Sequence, residues 1–237
     1  MSARNKSPEP MPASPPLEFK YSIKRGRRKT LGIYIKDATV EVRVPYFTSH
    51  DDVHPWVIEK ADWIRQQLHK QHIETSQKPD IRDGGCILFL GRERKLRFSS
   101  GTATVFEDNE DIHVTAQTEA SLKEHLEKWL KKEAKSYLQE RVFELADLMN
   151  ETENICHIQY RKTRSKWGHC TSEGILQFNW LIIMAPPDVI DYLIIHEISH
   201  LKQMNHSHAF WQRVASFCPD YKIHRNWLKK HGHRIWI

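Results

Sequence analysis

The residues with the clearest capacity for chemistry form the sequence His196-Glu197-Ile198-Ser199-His200, an HExxH motif. Positions four apart on an α-helix differ by about 40° in direction, so His196 and His200 would face the same side. Two imidazoles placed in this way suit a single Zn²⁺ ion. Glu197 would lie at the rim of that face, where it can take a proton from an attacking water and return it to a leaving group. The flanking residues are apolar, so we favour a metal site over a pair of solvated histidines.

Two downstream histidines could supply a third ligand. On a continuing helix His206 would lie about 120° from His200 and would miss the metal. We therefore expect the helix to end near Met204, with Asn205 as a left-handed C-cap, so that the turn directs His206 back to the site. His208 is the alternative ligand, although a solvent-facing histidine at that position needs no metal. We favour His206.

The segments around the motif predict the elements that position it. His157–Lys162 is typical of a short strand, and Thr171–Gly174 of a turn. Ile175–Met184 is apolar on nearly both faces, which predicts a buried strand. Ala185–Asp188 contains two prolines and an acidic residue, which together indicate the start of the helix that runs into the motif.

The N-terminal half shows both strand and helix periodicity. Alternating apolar residues over 18–45 predict a small antiparallel meander. Asp51–His72 predicts one helix, with Asp51 or Asp52 as its cap. Further short strands are expected around residues 87–98 and 105–114.

The longest helical pattern runs from Thr118 to Met149. It would span about 45 Å, so we expect it to link two halves of the protein. The sequence as a whole predicts an α+β fold with a β-rich N-terminal part, a long connecting helix and a C-terminal core that contains the HExxH helix. The expected division is a disordered leader over 1–17, a β-rich region with one helix over 18–117, the helix over 118–150 and the C-terminal core over 151–237.

Composition excludes several classes of protein. The chain has 237 residues, 28% of them charged, and a formal net charge of +6. This excess is too mild to predict nucleic acid as an obligate partner, and no apolar run approaches the about 20 residues that cross a bilayer. The four cysteines are widely separated, which indicates free thiols in a reducing compartment. The first residues lack an apolar signal segment, so we expect a cytoplasmic protein.

Several segments resemble the YgjP-like metal-dependent hydrolases, small zincins related to the WLM peptidases. The segments that carry the resemblance are Arg164-Ser-Lys-Trp-Gly-His-Cys170, Phe178-Asn-Trp180, Ala185-Pro-Pro187, His196-Glu-Ile-Ser-His-Leu201, Asn205-His-Ser207, Phe210-Trp211, Arg27-Arg-Lys-Thr-Leu-Gly-Ile33 and Val42-Arg-Val-Pro45. The resemblance implies that residues 151–237 form a compact, zincin-like zinc metallohydrolase core, with His196, His200 and His206 as ligands and Glu197 as the catalytic acid and base.

Three residues before the motif are candidates for binding the substrate. Arg164 belongs to a basic run and is either a charged strand end or a group that stabilises negative charge on a tetrahedral intermediate or a phosphate. Trp167 is either part of the core or a candidate for the wall of a substrate pocket. His169 stands where the resemblance leads us to expect a small residue, and it either binds substrate or fills space.

These observations predict a zinc-dependent hydrolase with one Zn²⁺ per chain. We expect a metallopeptidase in which Glu197 acts as general base and acid. One alternative is hydrolysis of a nucleoside triphosphate, with the basic residues holding its phosphates. A second alternative is a non-catalytic binding module that zinc stabilises. The expected partner is a peptide or nucleotide substrate, with no membrane and no obligate nucleic acid.

Overall fold

The computed structural model describes residues 17–108 and 110–237. The predicted leader therefore lies almost entirely outside the described residues. The chain has the expected mixed α+β fold, and its described residues divide into two compact units between Ser76 and Gln77. Each unit has its own hydrophobic core. The boundaries expected at residues 117 and 150 do not coincide with this division.

The first unit combines one sheet with two helices. Its elements are β1 (Tyr21–Gly26), β2 (Gly32–Lys36), β3 (Thr39–Pro45), α1 (His50–Glu59) and α2 (Ala61–Ser76). The strand order is β1-β3-β2, with β1 parallel and β2 antiparallel to β3. The expected meander is therefore wrong, although the strands themselves are present. Alternating apolar residues determine which face of a strand is buried, but they do not determine its neighbours.

The single helix expected over Asp51–His72 is also wrong. It is divided at Lys60, which leaves the helical conformation with φ −95° and ψ 5°. The N-cap of α1 is Ser49, whose hydroxyl accepts a hydrogen bond from the amide of Asp51 at 3.3 Å. The apolar stripe continues across the break, which is why periodicity alone does not reveal it.

The second unit contains the remaining elements. They are β4 (Cys86–Phe89), β5 (Arg92–Ser100), β6 (Thr104–Glu107), β7 (Asp111–Ala116), α3 (Glu119–Leu148), β8 (His157–Arg161), β9 (Gly168–Cys170), β10 (Ile175–Asn179), α4 (Pro187–His200), α5 (His208–Phe217) and α6 (Tyr221–His231), with short 3₁₀ helices at Thr152–Asn154, Trp180–Met184 and Gly232–Ile235.

The long helix α3 belongs wholly to the second unit, so it does not link two halves as expected. Thr118 caps its N-terminus by accepting a hydrogen bond from the amide of Ser121. Its apolar stripe is buried in the core that it shares with the sheet β4-β5-β7-β6. The spacing of that stripe is what predicted the helix from sequence.

A second sheet, in the order β8-β10-β9, lies before the HExxH helix. The strand expected to reach Met184 ends at Asn179, because the Asn179 carboxamide accepts from the amide of Leu181 at 3.2 Å and donates to the carbonyl of Thr163 at 3.0 Å. A buried 3₁₀ turn follows, and α4 begins at Pro187 as predicted. Among the described residues, no helix is long and apolar enough to cross a membrane.

Candidate metal centre

The helix α4 places two histidines on one face, as the motif predicts. It ends at His200, earlier than expected, and Asn205 is not among the described residues with positive φ. The last turn closes with i to i+3 hydrogen bonds instead, from the amide of Leu201 to the carbonyl of Ile198 and from the amide of Lys202 to the carbonyl of Ser199. A bend over 201–207 then follows.

This bend returns His206 to the two histidines of the helix. Ligand atoms of His196, His200 and His206 all lie within 4.8 Å of one another. The Nε2 atoms of His196 and His206 are 3.1 Å apart. His208 is the first residue of α5 and is not part of this cluster. The geometry thus favours His206 over its alternative as the third ligand.

The protonation of the cluster suits a cation. Burial and the neighbouring histidines lower the pKa of His196 to about 3, and burial lowers the pKa of His200. Both are therefore neutral at neutral pH and offer a lone pair. The Nδ1 of His200 lies 2.9 Å from the carbonyl oxygen of Gln203, to which it can only donate, so Nε2 is left as the acceptor atom. The 3.1 Å contact between two ring nitrogens needs a proton or a cation between them, and three imidazoles are a common donor set for divalent zinc.

Two aromatic residues of α5 support the imidazoles. The buried ring of Phe210 packs against all three histidines, with centroid distances of 4.5–4.9 Å. Trp211 stacks on His206 at 5.5 Å. Ser207 caps α5 by accepting a hydrogen bond from the amide of Phe210. The placement of Phe210 four residues after His206 is the sequence signal that could have identified this support.

The carboxyl group of Glu197 is nearly enclosed, since the residue is only 4% exposed. Burial raises its pKa to about 8, and the positive charge of Lys166 acts in the opposite direction. The backbone of Gly168 lies against this carboxyl group. A Cβ atom on Gly168 would fall 2.6 Å from Cδ and 2.7 Å from Cγ of Glu197 and would overlap its carboxylate. Only glycine allows this approach.

The strand β9, which contains Gly168, is an edge strand beside the cluster. Its pairing with β10 is flanked by hydrogen bonds from the amide of Asn179 to the carbonyl of Trp167 and from the amide of Thr171 to the carbonyl of Ile175. Antiparallel bonding alternates, so the backbone groups of Gly168 and Cys170 point away from β10. Within the described sheet, this side of β9 is open.

Comparison with known proteins identifies the family. A family profile described as the YgjP-like metallopeptidase domain matches residues 29–231. The chain belongs to the YgjP-like family. No curated protein shows significant similarity to it. Among solved structures, the metallopeptidase zymogen of Pyrococcus abyssi abylysin shares 19% identity and a TM-score of 0.35, over 39% of this chain and 93% of that one.

The three substrate-binding candidates of this YgjP-like chain lie in different surroundings. The ring of Trp167 packs against Trp236 at 4.8 Å, which anchors the start of β9. His169 is exposed on β9, and its charge contributes to lowering the pKa of His200. Arg164 is exposed, and no hydrogen bond joins it to the histidine cluster within the described part of the chain. Their roles in binding substrate stay predictions.

A buried carboxylate next to the bend was not predicted from the sequence. Glu151 is 2% exposed and forms ion pairs with Arg213 of α5 at 2.6 Å and with Lys202 of the bend at 3.6 Å. Asn154 donates a further hydrogen bond to it at 2.7 Å. Glu151 thus connects the end of α3 to both flanks of His206. A lone glutamate after a long helix gives no signal of such partners in sequence.

Proposed function

We propose that this protein is a zinc-dependent peptidase in which His196, His200 and His206 hold one Zn²⁺ ion and Glu197 carries the proton. The observation that supports this most strongly is the convergence of three imidazoles beside a buried carboxyl group. Membership of a family described as a metallopeptidase domain agrees with it. The bound metal would supply Lewis-acid activation of a water molecule.

Glu197 would act as general base and then as general acid. Its carboxylate would accept a proton from the attacking water, and the same oxygen would return that proton to the departing amine nitrogen. The pKa near 8 that burial gives the free carboxyl group makes it a competent proton donor once it is protonated. The contact with Gly168 limits the positions that the carboxyl group can occupy, which orients it for this transfer.

The open edge of β9 would align the substrate. An extended peptide can pair with an exposed strand through its main chain, and Gly168 and Cys170 direct their backbone groups outward at this edge. The strand expected directly before the helix, β10, is paired on both sides. β9 is therefore the strand with an edge beside the histidines.

The test compares wild type with Glu197→Gln on a library of unstructured casein-type peptides. We expect the variant to retain one zinc per chain and to lose about 10²- to 10⁴-fold in kcat, the range typical of general acid and base catalysis. Mass spectrometry of the products and elemental analysis of the same samples provide the two readouts. A zinc-loaded variant as active as wild type would contradict the assignment of Glu197.

The same pair of proteins separates the alternatives. Nucleoside triphosphates replace the peptides in a parallel assay, and hydrolysis of the nucleotides alone would favour the phosphoanhydride reaction. A zinc-stabilised binding module predicts no turnover of either substrate and unfolding of the second unit when a chelator removes the metal.

A further inference from the structure

The sheet that contains β9 has a second edge, at β8, and a groove runs along it. The groove is a cavity of about 870 Å³ between β8 and the helix α3. One wall includes four lysines of α3, and the other includes every residue from Ile155 to Arg161. Nothing in the proposed peptidase chemistry uses this groove.

The strand wall presents its backbone to the groove. Successive side chains of a strand point to opposite faces, so a single face would contribute only alternate residues. Here consecutive residues line the cavity, which is the pattern of a strand seen from its edge. β8 pairs with β10 alone among the described strands, so its outer amide and carbonyl groups are available to a further strand.

The helix wall is strongly basic. Lys128, Lys131, Lys132 and Lys135 follow the spacing of one helix face, and all four are exposed. Arg161 adds a fifth positive charge at the end of β8. No aspartate or glutamate lines the described cavity. Lys128 pairs with Glu124 at 2.7 Å, whereas no described ion pair neutralises Lys131, Lys132 or Lys135.

The floor of the groove adds apolar surface. Phe143 is 44% exposed at the groove, and Ile155 and Ile158 are half-buried.

We propose that this groove binds an extended, acidic peptide segment of a partner protein, which adds to β8 as a further strand and places its carboxylates on the lysines of α3. The open strand edge and the apolar floor favour a peptide over a nucleic acid, because the phosphates of a nucleic acid would contact only the lysines. The N-terminal residues 1–16 of the chain are a poor occupant, since they contain Arg4 and Lys6 against one acidic residue, Glu9.

The first experiment measures binding of a fluorescein-labelled peptide of alternating valine and glutamate by fluorescence anisotropy. We expect saturable binding that the double variant Lys131→Glu with Lys135→Glu weakens about tenfold, because two attractive charges become repulsive. The matched control is Lys229→Glu with Lys230→Glu on α6, which changes the net charge equally at two exposed lysines outside the groove. Equal weakening by both double variants, or no saturable binding to wild type, would overturn the proposal.

The second experiment uses two native cysteines to locate the peptide. Cys156 is exposed and lines the groove, whereas Cys86 is exposed outside it. At a peptide concentration about tenfold above Kd, alkylation of Cys156 should become roughly tenfold slower, because only the free fraction reacts, and alkylation of Cys86 should not change. Equal slowing of both cysteines would contradict binding in the groove.

Two further probes test the chemistry of the occupant. The same peptide with N-methyl groups on alternate residues cannot donate main-chain hydrogen bonds on one edge, and it should lose protection of Cys156. Undiminished protection would overturn strand addition. A single-stranded RNA that protects Cys156 while the acidic peptide does not would overturn the choice of a peptide. Neither measurement depends on metal or on turnover, so failure here is distinct from failure of the proposed peptidase function.

Discussion

The helix α4 and the bend that follows it contribute to the same histidine cluster, but they hold their ligands in different ways. Ten of the 14 residues of α4 are buried, and the helix fixes the relative positions of His196 and His200. The bend over 201–207 is mostly exposed, as is His206 itself. Helix geometry is therefore sufficient for two ligands, whereas the third depends on separate anchors outside the motif.

These anchors come from elements before and after the bend. Glu151 follows α3 and pairs with Lys202, while Phe210 of α5 packs beneath the histidines. The carbonyl of Gln203 accepts from His200, so the bend also orients a ligand of the helix. The two regions are thus coupled, and substitutions can separate their contributions.

Replacing one histidine in each region should produce the largest difference between the helix and the bend. His200→Ala and His206→Ala should both weaken zinc binding by more than the roughly 10- to 100-fold that is typical of losing a residue that only orients a ligand. Only His200→Ala should also destabilise the metal-free protein, by about 2 kcal/mol, because it removes a buried ring from the face of Phe210. Calorimetric zinc titration and denaturant unfolding measure the two effects. Equal unfolding free energies for both metal-free variants would contradict the contrast.

A substitution at Gly168 tests the rigidity of the helical region. Gly168→Ala places a Cβ against Glu197, which a buried helix cannot easily move aside, so kcat should fall roughly a hundredfold while zinc content stays the same. Gly26→Ala is the control, because nothing lies within 4 Å of a Cβ there. The peptide assay and elemental analysis provide the readouts. Unchanged turnover by Gly168→Ala would show that Glu197 can be displaced without loss of its function.

A substitution at Glu151 tests the anchoring of the bend. Glu151→Gln leaves Arg213 and Lys202 without their charged partner, so the protein should lose about 1–3 kcal/mol of unfolding free energy and bind zinc several-fold more weakly. Glu153→Gln, at an exposed neighbouring carboxylate, is the matched control. Zinc affinity equal to that of wild type would show that the bend positions His206 without this network.

The same contrast explains how much of the site the sequence predicts. Local spacing identifies His196, Glu197 and His200, and the pair Pro186-Pro187 marks where the helix begins. The sequence also predicts that the chain bends back at His206, because on a continuing helix this residue would face away from the other two histidines. The sequence does not predict how the helix ends, because i to i+3 hydrogen bonds take the place of the expected left-handed residue at Asn205.

Features that depend on contacts between distant segments cannot be predicted from local residue spacing. The approach of Gly168 to Glu197 and the charge of Lys166 near the same carboxyl group join residues about thirty positions apart in the chain. The order β1-β3-β2 likewise follows from packing, because each strand alternates in the same way whichever neighbour it has. Periodicity predicts the elements, and their pairing follows only from the assembled core.

Elemental analysis of the purified chain and a small set of variants tests whether His196, His200 and His206 hold the metal. We expect one zinc per chain in wild type and in Glu197→Gln and His208→Ala, which leave the three ligands intact, and a loss of stoichiometric zinc in His206→Ala. Wild-type protein without stoichiometric metal, or His206→Ala that retains it while His208→Ala does not, would contradict the assignment of His196, His200 and His206 as the metal site.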